Sequence, residues 1–536
     1  MKARPVALSH FPPDAPTRPA PARPAALLLA AAILAIAAPA WAVDIDGVQP
    51  AALDQPQINM VLTGDDGLVK SFTGLGIDPV TGDLSDDVTT FTITAYLDTG
   101  SGSILLSQDT GTSFGIGTDG ASLVDVGVGG PANFAVSENL HIALANYFPR
   151  DDLDQFSNGQ PVLTPYTPLT PAPGNTGFHV EIGPLSPPST DDLDSIIAGL
   201  DSVDAVGMPA LKGKVLVIDP KPTNGMIDVI NDLGDPNADF DTIVTQLENS
   251  ETRTYIYNPT EPFHPATQDT NPGIPTTNLH VKLSYADFSR FTPVTGGIGP
   301  DMVHNPFIGT DPVATFDHTA TTPTPGIKIT RTVSGPTGDV TRSSEGSWLF
   351  DTGAAADFIS QDQAANLGVH YKAGTYQTDT PELVDDNGVD IPGQFVLPIG
   401  GIGPTQMVAG FWLDSMLVRT LEGGGNDDDP HNLLFHNVPV LVLDISLIDP
   451  ISGKTLTLDG DFAMNNLLAS ANIDNDPNDL FPIFNPSPTP FNWVVFDEPN
   501  GLLGLDVDPS LIGEVPEPAT LSILSFASLL LLRRRK

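Results

Sequence analysis

The feature that most limits the possible folds of this chain is an internal repeat. Residues Asp98 to Ile116 read DTGSGSILLSQDTGTSFGI, and residues Asp351 to Val369 read DTGAAADFISQDQAANLGV. The two align without a gap at an offset of 253 residues. They share the opening Asp-Thr-Gly, then Ser107/Ser360, Gln108/Gln361, Asp109/Asp362 and Gly115/Gly368. Such a match between distant parts of one chain points to a duplicated domain. Each copy enters its Asp-Thr-Gly turn from an apolar strand: Phe91, Ile93, Ala95 and Leu97 alternate before Asp98, and Trp348-Leu349-Phe350 leads into Asp351.

An acid held between two apolar segments is costly. Desolvation penalises a bare carboxylate unless it is hydrogen-bonded or shares a proton with a neighbour. The repeat supplies that neighbour, because each copy contributes one such acid. Two carboxylates a few ångströms apart do not ionise together, and a pair holding one proton suits general acid-base hydrolysis through a bound water. A third Asp-Thr-Gly, at Asp109 to Gly111, follows Ser107-Gln108 rather than an apolar strand, and it is set aside as a helix cap. By the same pattern Ser360 to Leu367 reads as a short helix stopped at Gly368.

These residues resemble the pepsin-like aspartic proteases, a family of bilobal, all-β enzymes in which each lobe supplies one Asp-Thr-Gly aspartate to a shared site. The resemblance implies that Asp98 and Asp351 are catalytic. It also implies that Thr99 and Thr352 brace the opposite loop and that the amides of Gly100 and Gly353 donate to the carboxylates. Ser101 falls where the family places a hydroxyl beside the first aspartate; Ala354, the equivalent residue, has no donor. Losing a donor disfavours the ionised carboxylate, so Ala354→Thr is expected to move the acid limb of activity toward lower pH.

The family also sets a hydrophobic-hydrophobic-Gly element under each catalytic loop. Ala205-Val206-Gly207 fits in the first lobe, followed by the strand Val215 to Asp219. The repeat offset places its counterpart at Gly460, although Asp459 interrupts the apolar pair and Leu502-Leu503-Gly504 competes; Val494 to Asp497 then answers Val215 to Asp219. The family's flap carries Tyr-Gly, and no such pair follows Asp98; Tyr147 lies at a suitable distance but in Asn-Tyr-Phe-Pro.

Composition narrows the remaining classes. Cysteine is absent, which removes disulfides and thiolate chemistry. With Gly 50 and Pro 53, short strands and turns are favoured over long helices. A net charge of -44 argues against a nucleic-acid partner and reads as a solvated acidic surface. Asp235, Asn237, Asp239 and Asp241 alternate like a calcium loop, as do Asp474, Asp476 and Asn478, but both lack the Gly and Glu of an EF-hand and read as solvated turns. No His-Glu-x-x-His set occurs, so neither metal nor cofactor is expected. Pro161 to Pro188 reads as extended surface chain, Asp191 to Leu200 as a short amphipathic helix, and Gly423 to Asp429 as a mobile surface loop.

Both termini carry export signals. Basic residues, the apolar run Ala25 to Ala38 and Ala40-Trp41-Ala42 form a secretory signal over 1–42. At the other end Pro516-Glu517-Pro518 precedes the apolar run Ala519 to Leu532 and Arg533-Arg534-Arg535-Lys536. This resembles the PEP-CTERM sorting signal of Gram-negative bacteria, which an exosortase recognises and removes. The apolar run is short of the roughly 20 residues of a stable span, which implies transient membrane association with the body outside the inner membrane. The expected organisation is therefore signal 1–42, first lobe 43–305, second lobe 306–513 and sorting segment 514–536. Two functions fit: an exported endopeptidase acting on protein or peptide substrates, or a surface or matrix protein that keeps the scaffold without turnover.

Overall fold

A computed structural model describes residues 42–509 apart from 49, 53, 78–83, 148–155, 158–159, 162–166, 171–175, 185–203, 226–245, 247–249, 264–272, 287–293, 296–321, 336–337, 449–454, 469 and 473–483. The signal segment up to residue 41, the Asp191–Leu200 stretch, both aspartate-rich loops, the junction near residue 305 and the sorting segment with Pro516, Glu517 and Pro518 lie outside the described residues. The fold is all-β, with strands predominating and helices short.

The repeat in sequence is a repeat in topology. In the first half, Ile93–Asp98 lies parallel to Ala205–Gly207, which runs antiparallel to Ile104–Leu106. Ile104–Leu106 is parallel to Glu181–Pro184, followed antiparallel by Gly130–Ser137 and Thr118–Gly127. In the second half the same six steps, with the same directions, run Leu349–Asp351, Gly460–Ala463, Phe358–Ile359, Leu433–Val442, Gln406–Val418 and Phe395–Ile399. Each run is part of a larger sheet, of ten strands in the first half and nine in the second.

The two halves are joined by a third, five-stranded sheet. Val215–Asp219 pairs antiparallel with Phe491–Asp497, so that Leu216 meets Phe496 and Val217 meets Val495,. Alternation sorts these side chains onto two faces. Leu216, Ile218, Val494 and Phe496 point into the large common core, whereas Val215, Val217, Trp493 and Val495 build a smaller cluster with Tyr255 and Tyr257. Phe496 reaches from this sheet to Phe350, just before Asp351, with ring centroids 5.9 Å apart.

The first-lobe boundary expected at Val43 does not hold as drawn. Val43–Asp46 pairs parallel with Leu433–His436 and so belongs to the second half's sheet. Buried Val43 and Val48 pack in the common core, and that burial fixes the strand where its apolar residues fit best. The Gly423–Asp429 stretch is likewise pinned rather than loose: Asp427 accepts from Arg419 Nε at 2.6 Å and Lys328 Nζ at 2.7 Å.

Candidate active site

After each Asp-Thr-Gly turn the chain makes one short strand and then a capped helix. Ser107 Oγ accepts from Thr110 N at 3.0 Å to start Gln108–Ser113, and Ser360 Oγ accepts from Gln363 N at 3.2 Å to start Gln361–Asn366. Gly115 and Gly368 follow at φ of +63° and +72°, a left-handed conformation that glycine adopts at little cost. The third Asp-Thr-Gly therefore forms part of the first helix, capped by Ser107 rather than by Asp109 itself.

These matched pieces bring the two turns face to face. Thr99 N donates to Thr352 Oγ1 at 3.0 Å, and Thr352 N donates to Thr99 Oγ1 at 3.0 Å. Each hydroxyl in turn donates to the strand before the opposite aspartate: Thr99 Oγ1 to Phe350 O at 2.6 Å, Thr352 Oγ1 to Leu97 O at 2.5 Å. Both threonines are fully buried. The brace is thus four hydrogen bonds related by a pseudo-twofold axis.

Beneath it the carboxylates meet. Asp98 Oδ1 accepts from Gly100 N at 2.8 Å and Ser101 N at 3.0 Å; Asp351 Oδ1 accepts from Gly353 N at 2.8 Å and Ala354 N at 3.2 Å. A side chain on Gly100 would collide with the Asp351 carboxylate, and one on Gly353 with that of Asp98. Glycine is therefore required at both positions by close approach. The two carboxyls hydrogen-bond each other. Burial, then the charge of Asp351 and its hydrogen bond, hold Asp98 well above the ordinary carboxylate range. Burial also raises Asp351, but hydrogen bonds from Asp98, Gly353, Ala354 and Asp461 oppose the rise.

The surrounding residues depart from expectation in three places. The Ser101 hydroxyl turns to the Ser103 backbone, donating to its carbonyl and accepting from its amide at 3.2 Å, so only the Ser101 amide serves Asp98. Gly207 pairs with Asp98 as expected, but Asp351 is paired with Ala463, not Gly460. Gly460 lies at the start of the same strand, where its missing side chain makes room for the Trp348 ring, and the element under the second loop is Asp461-Phe462-Ala463. Met208 N to Ser101 O and Met464 N to Ala354 O, at 2.9 and 3.1 Å, confirm that register. Leu502-Leu503-Gly504 belongs to the central sheet.

The hairpin expected to carry a tyrosine is the third. Tyr147 lies away from it, donating from its hydroxyl to Glu251 at 2.5 Å and exchanging backbone bonds with Thr254. The hairpin Thr118–Gly127/Gly130–Ser137 instead carries a glycine-rich tip, Gly127-Val128-Gly129-Gly130. Its topological equivalent, Phe395–Ile399/Gln406–Val418, turns at Gly400-Gly401-Ile402-Gly403. The tips touch: Gly129 N donates to Ile402 O at 2.9 Å, and backbones come so close that a side chain on Gly129 or Gly403 would collide. Val128 packs in an apolar cluster that includes Ala356 of the second catalytic loop.

Two further acids lie behind Asp351, and neither was singled out from the sequence. Asp357 is fully buried and pushed up to about 7 by desolvation, despite hydrogen bonds from Ala463 N, Asn466 Nδ2 and Asn465 Nδ2 at 2.9, 2.7 and 3.4 Å. Asp461 is also fully buried. Their counterparts by topology in the first half are Ile104 and Ala205, both apolar. An acid in an otherwise apolar strand is the signal that marks them. Among the described residues no group of His, Cys, Asp or Glu has the arrangement of a metal site. Comparison with protein-family models and with curated proteins returns no match to this chain.

Proposed function

We propose that this chain is a bilobal, pepsin-like aspartic endopeptidase. The observation that carries the reading is the reciprocal exchange between Thr99 and Thr352, which holds Asp98 and Asp351 in contact under matched amide donors. A pair so placed has a role for each member. Ionised Asp351 takes a proton from a water lying between the carboxyls, and Asp98 gives its proton to the substrate carbonyl as the water attacks. The tetrahedral intermediate then collapses with protonation of the leaving amine. No covalent enzyme intermediate is needed.

The bridged glycine tips act as a two-part lid. A polypeptide reaches the pair only after the Gly129 to Ile402 contact opens, and reclosure excludes bulk water. Export across the inner membrane of a Gram-negative cell and exosortase-dependent sorting to the envelope complete the proposal, on the strength of the terminal sequence segments.

The test is cleavage of casein at about pH 4, an acidity at which such a pair keeps one proton, with and without pepstatin. Wild type is expected to cleave in a pepstatin-sensitive manner, and Asp98→Asn to be inactive. Cleavage that survives Asp98→Asn rules out the mechanism; a well-folded wild type that never cleaves leaves a scaffold without turnover.

A further inference from the structure

The mechanism above leaves Asp461 without a task. It sits opposite Leu349 and Phe358, in the register where the first half has Ala205 opposite Tyr96 and Leu105. Its side chain has no exposed surface, and neither oxygen makes a hydrogen bond of good geometry with a described residue. In the parallel pair Leu349 meets Asp461 and Asp351 meets Ala463, so Asp461 and Asp351 stand on one face of the sheet as diagonal neighbours. The ionisable groups acting on it are Asp351, Asp357 and Asp98, all carboxyls, with no cation among them. A carboxylate stripped of water and facing only like charge is stable as the neutral acid.

A neutral acid brings an O–H that needs an acceptor. Asp357 already receives three N–H donors, whereas the two backbone amides that serve Asp351 both fall on its Oδ1. We infer that Asp461 is a positioning residue of the aspartate pair: it carries a proton and donates it in a hydrogen bond to Asp351. This fixes Asp351 as the ionised member and leaves the shared proton with Asp98. The asymmetry between two otherwise matched halves then has a chemical use. No bond to substrate is involved, and only the kinetic arm of the test rests on the peptidase reading.

The sign is definite. A donor to the Asp351 carboxylate favours its ionised form, so removing the donor raises the lower apparent pKa of the pair. Ala205 shows that this position accepts a small side chain, which makes Asp461→Ala a reasonable variant. Asp461→Ala is expected to move the acid limb of kcat upward by about one pH unit. Asp461→Asn keeps an N–H donor and stays nearer wild type, and adding Ala354→Thr to Asp461→Ala restores the acid limb. A merely structural role would not produce this ordering.

The second arm needs no turnover. Infrared difference spectra between Asp98→Asn and Asp98→Asn/Asp461→Asn at neutral pH are expected to show a protonated-carboxyl band from residue 461, since the share that Asp357 contributes is common to both. An unchanged acid limb in folded Asp461→Ala, or a band indifferent to residue 461, overturns the inference. If the band behaves as described and wild type cleaves nothing, Asp461 keeps its assigned proton and the peptidase reading falls.

Discussion

Removing one hydroxyl from the threonine brace tests whether the halves are held together at the aspartates or merely meet there. In Thr99→Ala, Thr352 N–H loses its acceptor at 3.0 Å and Phe350 O loses its donor at 2.6 Å, both within fully buried surroundings. Each orphaned group costs about 1–3 kcal/mol, so the variant is expected to lose about 2–6 kcal/mol. Thr99→Ser keeps both bonds and forfeits one methyl, on the order of 1 kcal/mol. Thr352→Ala is the mirror-image loss, through Thr99 N and Leu97 O. Since the hydroxyls serve one ring of bonds, the double variant should cost less than the two singles together, by about 0.5–3 kcal/mol. Urea unfolding followed by tryptophan fluorescence measures all four, with kcat/KM in parallel. A Thr99→Ala protein within about 0.5 kcal/mol of wild type, or strict additivity, refutes the idea that this exchange joins the two loops.

Other perturbations follow from the same geometry. Gly100→Ala drives a methyl into the Asp351 carboxylate and is expected to lower kcat/KM by about a hundredfold or more, the effect of misplacing a reacting group by about 1 Å; near-normal turnover contradicts the close approach. Asp357, raised to about 7 by burial, binds a proton in the folded state that the unfolded chain has already released. Its contribution is therefore fully present below about pH 4 and lost as pH rises through about 7, by at most roughly 4 kcal/mol. Urea unfolding across that window should show wild type losing ground to Asp357→Asn as pH rises, and the opposite slope rejects the assignment. Gly129→Val inserts a side chain against the backbone of Gly403 and Pro404, and should lower kcat/KM for casein about tenfold, roughly 1.4 kcal/mol in barrier, without moving the unfolding midpoint; unaltered cleavage removes the lid role.

Much of this arrangement can be read from the chain alone, and the failures have physical causes. The gapless alignment places both aspartates because turn, cap and helix stop recur as a set: Ser107 and Ser360 cap alike, and Gly115 and Gly368 adopt the same positive φ. The two central strands are legible as well, since Val215 to Ile218 and Val494 to Phe496 are apolar at every step and ask for two buried faces, but that they pair with each other is seen only in the fold. Register under the second loop does not follow, because the spacing from aspartate to pairing partner is three residues longer there and a constant offset lands on Gly460 instead of Ala463. The shared Met-x-x-Leu of Met208–Leu211 and Met464–Leu467 would have corrected it. The two hairpin tips eluded recognition because they meet through glycine backbone contact and carry no tyrosine. Asp461 was hidden for a different reason: one acid among apolar residues looks like a strand break until its neighbours are known.

The pairing of Val215–Asp219 with Phe491–Asp497, and of Val43–Asp46 with Leu433–His436, bears on how far the duplication has travelled. Neither half is now self-sufficient. Cut near residue 305, the leading fragment would end with a naked, wholly apolar border where Phe491–Asp497 should dock, and the trailing fragment would lack the segment that completes its own sheet. Such borders recruit other chains, so the fragments should precipitate when made separately and recover only when produced together. What began as two equal copies has become one indivisible folding unit.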